Sequence, residues 1–489
     1  MARQKDTKDH IEQPLAIRWH ILAVLIASIF MTLISVSIVN VALPSIQTSL
    51  GASQSDIQWV LSGYALTFGV VLVAAGRAGD IMGRGGLFLL GVAVFTLASI
   101  AAGLATDAHS LNMARFIQGL GSGLSNPQGI GMIQQYFRGA ERGRAFGYFG
   151  TAVGLSVAIG PVLGGFLIEL GGLDIGWRLT FLVNVPFGVL SLYLGYKWFP
   201  KPLIQSPAKA AASQAENPKA QHGFLSLDPL GSVLLGLAVL AILFPFMESR
   251  TSPVTWILLP VGILLIWLWV RWERFYERRG YSPMVNLDIF KISSFSNGVM
   301  IMSLYFLGIT SVWVLVALYV QQGLGMSALQ SGLFGVPAAL WSSFAANWAG
   351  SRVMLYGRSI VIGGLWLAIL GLVTTILVIY LENMGLISIW WLMLTLSFIG
   401  IAQGSVISPN QTLTLVDVPI NYAGSSGAIM QTGQRMGTSI GIAVITAAVF
   451  GSLSFTSWPI AAMVGFSLII LIVFIAIGFA YKDKRDRRQ

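Results

Sequence analysis

The sequence predicts an all-α polytopic membrane protein of fourteen spans, arranged as two six-helix bundles with two helices inserted between them. Three observations carry that expectation. Hydrophobic residues make up 55% of the 489-residue chain and charged residues only 10%, against about 25% charged in a soluble globular domain. Fourteen apolar runs recur along it, long enough for a helix to cross a bilayer. The positive charge alternates between the segments that join them. Of 29 Lys and Arg, 25 fall on one side, only Arg178 and Arg250 fall on the other, and Arg115 and Arg435 lie inside runs. That bias orients a chain with both ends in the cytoplasm, so the net charge of +10 needs no nucleic-acid partner. Cysteine is absent, which excludes disulfides and thiolate metal sites, and no other metal or cofactor site is expected. The first apolar run is too long for the core of a cleaved signal peptide.

Each element has its own signal. Residues 1–18 read as a polar cytoplasmic tail and 19–200 as the first bundle. Its first run, about 19–43, is expected to end before Pro44 and an outer loop, and Ser53 to Asp56 caps the second run. The others lie at about 86–105, 110–136, 143–170 and 178–198. Residues 201–224, rich in Ala, Lys, Gln and Pro, read as a cytoplasmic linker, and 225–272 as the inserted pair, opened by Asp228. The basic amphipathic stretch 273–294 is expected to lie along the inner surface. Six runs in 295–481 form the second bundle, before a basic tail at 482–489. An internal repeat supports two related bundles. Shifting by 274 residues, Gly76, Gly83 and Arg84 recur as Gly350, Gly357 and Arg358, while Asp80 meets Met354, so the second copy is expected to lack a charge partner.

The charged turn between the second and third runs, Gly76 to Gly86, carries the sharpest motif. Its glycines permit close backbone approach, and Asp80 and Arg84 stand one helical turn apart. In the fifth run Gly143, Gly147, Gly150 and Gly154 line one face, followed by Gly160, Pro161, Gly164 and Gly165. A stripe of small residues lets another helix pack at backbone distance where lipid gives no hydrophobic drive. Two arginines stand inside apolar runs, each costing roughly 2.5–3.5 kcal/mol near mid-bilayer. Arg115 is close enough to the outer turn to snorkel, whereas Arg435 lies deeper, beside Gln431 and Gln434. Enzymatic look-alikes fail. Gly437-x-Ser439-x-Gly441 has no strand before it, the four histidines lie at or beyond run ends, and no Walker loop occurs.

The spacing Gly76-x3-Asp80-x2-Gly83-Arg84 resembles the loop between helices 2 and 3 of the major facilitator superfamily of secondary transporters. Gly150-x3-Gly154-x5-Gly160-Pro161-x2-Gly164-Gly165 resembles the helix-5 motif of its antiporters, and Arg115-x2-Gln118-Gly119 its helix-4 motif for proton transfer. With the run count, the chain is similar to the fourteen-helix drug:proton antiporter family. The resemblance implies a monomeric, multi-pass protein of the cytoplasmic (cell inner) membrane, exporting amphipathic or cationic small molecules by proton-driven alternating access. A lipid or metabolite exporter with different or weak ion coupling is the alternative, and a transport-dead receptor would be expected to lack the charged turn. Gly76, Asp80, Gly83 and Arg84 would then form an inner-side latch. The family places an acid two residues before Ser37, where this chain has Ser35, so coupling would fall to Arg115, Gln118 and Asp56, at the outer mouth. Ser35, Asn40, Asn297, Trp313, Trp341, Phe344, Gln431 and Arg435 are the cavity candidates, and for the aromatics packing remains the plainer reading. Trp19, Trp59, Trp177, Trp390, Trp391 and Trp458 read as interface anchors.

Overall fold

The computed structural model describes residues 15–204, 227–248, 253–281 and 283–487. Most of the expected N-terminal tail, nearly all of the expected linker and Arg250 lie outside them. Fourteen helices account for almost everything described. The first bundle comprises α1 (Leu15–Leu50), α2 (Gln54–Met82), α3 (Arg84–Gly103), α4 (Ala108–Tyr136), α5 (Gly139–Leu182) and α6 (Asn184–Trp198). The inserted pair is α7 (Pro229–Glu248) and α8 (Leu258–Arg278). The second bundle holds α9 (Ser293–Leu318), α10 (Gly335–Tyr356), α11 (Arg358–Asn383), α12 (Leu392–Thr414), α13 (Ala423–Leu453) and α14 (Trp458–Asp486). Eleven segments are long and apolar enough to cross a membrane. One of these, 139–198, reverses at Gly172 and so makes two passes. Helices α4 and α10 are 29 and 22 residues long but too rich in Gly, Ser, Asn and Gln to pass on hydropathy, and they supply the remaining two.

Local chemistry sets the ends of these helices. Ser53 and Asp56 exchange hydrogen bonds at the start of α2, each side chain satisfying the other residue's amide at 3.1 and 2.9 Å. Between α2 and α3 the chain turns on a single residue, Gly83, whose φ of 110° a side chain would resist. Helix α1 corrects the expected boundary, because it continues through Pro44 to Leu50. Proline forfeits one backbone hydrogen bond but does not break a helix that its neighbours hold in place. Likewise the stretch expected to lie along the surface, 273–294, begins as the end of α8, up to Arg278. There Trp269, Glu273 and Tyr276 form one buried face, while Arg271, Arg274 and Arg278 point to the exposed side.

Packing ties the halves together at the end bearing the α2–α3 turn, called here the basic end. Helix α5 lies on α10, α2 and α4 lie on α13, and α7 sits beside both α2 and α13. The inserted pair therefore spans the seam between bundles. Of the expected interface tryptophans, Trp177 departs from that role: it is wholly buried, edge-on to Phe181, with the Arg178 guanidinium 4.4 Å over its ring.

Candidate functional site

At the basic end one carboxylate gathers both halves. The Asp80 side chain is 1% exposed. Its Oδ1 accepts from the Gly424 amide at 2.7 Å, and its Oδ2 accepts from the Ser425 amide and hydroxyl at 2.9 and 2.7 Å. Those amides are in the first turn of α13, where N–H groups lack partners inside the helix and the helix dipole favours an anion. Arg84 donates to Asp80 Oδ1 through Nη2 at 2.8 Å and Nε at 3.1 Å, to the Ile420 carbonyl at 2.8 Å and to Gln135 Oε1 at 2.6 Å. Gln134 Nε2 and Arg142 Nη1 add donors to the Leu415 carbonyl at 3.0 and 3.4 Å. Gly76 makes the approach possible, since a Cβ there would strike the Gly424 carbonyl and Ala428. Thus the structure brings Gly76, Asp80 and Arg84 to one contact with α13, with Gly83 turning the chain so that Arg84 faces back to Asp80.

The stripe on α5 divides its work. Gly143, Gly147, Gly150 and Gly154 meet Gly350, Ala346 and Ser343 of α10, whereas Gly160 and Gly164 meet Ser37 and Ile38 of α1. Gly165 faces open space, so nothing in the structure explains a glycine there. Thr151 Oγ1 donates to the Ser343 carbonyl at 2.9 Å and Ser343 Oγ to the Thr151 carbonyl at 3.3 Å across the same contact. At Gly350 a Cβ would come within 2.5 Å of the Gly143 carbonyl and 2.7 Å of Gly147 Cα, both backbone atoms. Gly350→Val should therefore hold this end apart. Overpacking of about 1–3 kcal/mol lowers the closed population by roughly tenfold for each 1.4 kcal/mol. The cysteine-free chain gives a clean assay. A Thr151→Cys/Ser343→Cys pair should crosslink readily, and adding Gly350→Val should cut the yield by roughly tenfold; equal yields would show that the contact gives way.

Deeper in the molecule the two embedded arginines flank one tyrosine. Arg115 is 1% exposed, so it does not snorkel. Its Nε donates to the Val60 carbonyl and its Nη1 to Gln118 Oε1, both at 2.8 Å, and Gln118 passes the chain to Ser99 Oγ at 2.7 Å. The Arg115 guanidinium lies 4.5 Å from the Tyr64 ring, and Tyr64 donates to Ser122 Oγ at 2.8 Å. From α13, Arg435 stands 4.5 Å over Phe68, one turn along α2 from Tyr64. Gln431 is buried beside it with an unpartnered Oε1, and Ser35 is buried with its hydroxyl unpartnered. Phe68, Ser99 and Ser122 were legible only as members of helices, because their part depends on which helix faces which.

Other candidates are placed apart from this string. The Asp56 carboxylate is engaged with Ser53 in the α2 cap, and Arg115 instead reaches the Val60 carbonyl one turn further in. The two side chains do not meet. Asn297 sits at the basic end, donating to Ser293 Oγ and Asp486 Oδ2 at 3.4 and 3.3 Å. Trp341 and Phe344 are 49% and 65% exposed, on the face of α10 away from its contact with α5, and Trp313 is half-buried near Gly335. Asn40 is exposed and bonds its own helix at the Val36 carbonyl. Helix periodicity does not say which face meets lipid when both faces are apolar.

The repeat of the latch is also corrected. Arg358, 3% exposed, does have a charge partner: its Nε donates to Asp483 Oδ2 of α14 at 2.5 Å, and its Nη1 is bonded to Asn410 Oδ1 of α12. Asn410 in turn donates to the Gly298 carbonyl at 2.9 Å, and Arg487 joins Asp483 at 2.9 Å. The acid missing at Met354 is supplied more than a hundred residues away, within the same bundle.

Residues 25–250 match the family model described as Major Facilitator Superfamily. The chain is 32% identical over 444 residues to the "Probable actinorhodin transporter" of Streptomyces coelicolor, covering 90% of this chain and 74% of that one. It is 29% identical to the "Multidrug resistance protein Stp" of Mycobacterium tuberculosis, over 88% of this chain and 76% of that one. Among solved structures it shares the fold of the human organic anion transporter MFSD10, with a TM-score of 0.67 and 15% identity, over 96% of this chain and 100% of that one. The polar contact between two helical bundles fits the carrier that these relatives indicate. The chain is a membrane transporter that belongs to the major facilitator superfamily.

Proposed function

We propose that the chain exports amphipathic small molecules from the cytoplasm by alternating access, with a proton gradient as its energy source. The observation that carries the reading is Asp80, which holds the start of α13 and Arg84 together at the basic end. Such a contact is made in one state of the carrier and broken in the other, which is what a two-state transporter needs. The basic end faces the cytoplasm in this reading, from the distribution of Lys and Arg. The relatives named as an actinorhodin transporter and a multidrug resistance protein support the substrate class, and the resemblance of the α4 and α5 motifs to those of antiporters supports the proton.

The central string refines the substrate. Its charges are Arg115 and Arg435, with Tyr64 and Phe68 between them. An arginine attracts π-faces and anions and repels fixed cations. Neutral or anionic aromatic amphiphiles therefore suit this interior better than the cationic compounds expected from sequence. Cells with the protein should accumulate less of an anionic aromatic dye than cells without it, and a protonophore should abolish the difference. Equal accumulation of a broad panel of amphiphiles, anionic, neutral and cationic alike, would overturn export. A difference confined to cationic dyes would overturn the refinement.

A further inference from the structure

The inserted helix pair has no counterpart in the internal repeat, yet it buries two acids against the latch helix. Asp228, at the start of α7, is wholly buried. Its Oδ1 accepts from the Gly231 amide and the Trp272 indole, both at 2.9 Å. Glu273 of α8 is 1% exposed. Its carboxylate faces the amides of Met284 and Val285 and the Trp269 indole without closing a well-formed hydrogen bond to any of them. Among the described residues, Asp228 Oδ2 and both Glu273 oxygens are buried and unpartnered.

These loose oxygens converge. A Cβ added at Gly231 would fall against Asp228 Oδ2 and Glu273 Oε1 together, so both carboxylates open on one small space above that glycine. Arg77 completes the group from α2. It is 7% exposed, follows Gly76 of the latch, and leaves Nε unpartnered. The acids Asp80, Glu273 and Asp228 all lie near enough to favour its charge. The other titratable groups facing the pair are Tyr276 and Tyr281, while the arginines of α8 lie on its exposed face.

Two carboxylates cannot both stay ionised cheaply this close together and this deep. With Arg84 and Asp80 counted, the cluster carries one excess negative charge when both acids are ionised, and none when they hold one proton between them. We infer that Asp228 and Glu273 form a proton-binding site, taking one proton between Asp228 Oδ2 and the Glu273 carboxylate while the basic end is closed. Proton loss leaves an uncompensated negative charge beside Arg77, the residue after Gly76, and so strains α2 where it meets α13. The inserted pair is thereby a proton-sensing attachment to α2. Its place in transport rests on the proton-driven reading above; its proton does not.

Infrared titration of the purified, lipid-reconstituted protein tests this directly. In sodium-free buffer at neutral pH the wild type should show the C=O band of a protonated buried carboxylic acid. Glu273→Gln and Asp228→Asn should each abolish it, with folding confirmed by gel filtration. If either variant fails to fold, Glu273→Asp retains the acid but withdraws it by one methylene. That change should lower the titration midpoint by about one pH unit, a tenfold loss of proton affinity. Absence of the band in wild type, or its persistence unchanged in both variants, would overturn the site. A band erased by sodium at constant pH would show that the space takes a monovalent metal cation instead. The spectrum reads the proton whether or not the chain moves a drug, and dye accumulation reads transport whether or not the pair binds a proton.

Discussion

Asp80→Asn is expected to reduce transport by tenfold or more while leaving folded protein in the membrane. The carboxylate has two acceptor oxygens, and each faces donors: Gly424 N–H and Arg84 on one side, the Ser425 amide and hydroxyl on the other. Asparagine keeps one acceptor and turns the other position into an NH₂, so whichever way the amide is set, donors face donors. A hydrogen bond to a charged group contributes about 1.5–3 kcal/mol, and each 1.4 kcal/mol shifts a two-state population roughly tenfold. The loss falls on the closed state alone, because only there does α13 reach Asp80. Dye efflux measured against membrane-inserted protein level checks this. Efflux near the parent value would reduce the latch to an ordinary turn. Met354→Ala, at the matching place in the second bundle, should change little, since that side chain is half-exposed and bears no charge.

The second large effect is on stability. Asp483→Asn should lower the melting temperature of the detergent-solubilised protein substantially. Arg358 and Asp483 have side chains 1% and 0% exposed, and removing one partner of so buried a pair costs about 3–5 kcal/mol. Arg358→Met should cost a similar amount, because it strands Asp483 with only Arg487, whose side chain is 27% exposed. The double variant Arg358→Met/Asp483→Leu should melt above either single one, since an apolar pair leaves no buried charge unanswered. Additive losses in the double variant would show that the two side chains do not depend on each other.

Much of this was legible before any coordinates. The fourteen runs and the Asp80–Arg84 turn were visible because hydropathy, charge alternation and spacing are local properties of a chain. What escaped was set by which helix faces which. Asp483 could not be assigned to Arg358 from spacing, as 125 residues separate them. Glu273 read as part of a surface stretch because its arginine neighbours dominate the local charge, although every third or fourth residue there turns inward. Which way Trp341 and Phe344 turn was not legible either, because it depends on the helices packed against α10, and those bury its small residues instead.

The seam between α5 and α10 has a kinetic consequence. Its contacts are Gly, Ala, Ser and Thr against backbone, so almost no long side chain is threaded through the opposing helix. Interlocked leucines or phenylalanines would have to leave their rotamers before the bundles could part, and that cost would sit in the transition state. A smooth surface removes the obstacle while keeping close dispersion contact. How often the carrier turns over and how long it rests closed are thus governed separately. The glycine face sets the friction of parting, and the Asp80 cluster, on the separate contact of α2 with α13, sets the resting balance, so evolution or design can change one without disturbing the other.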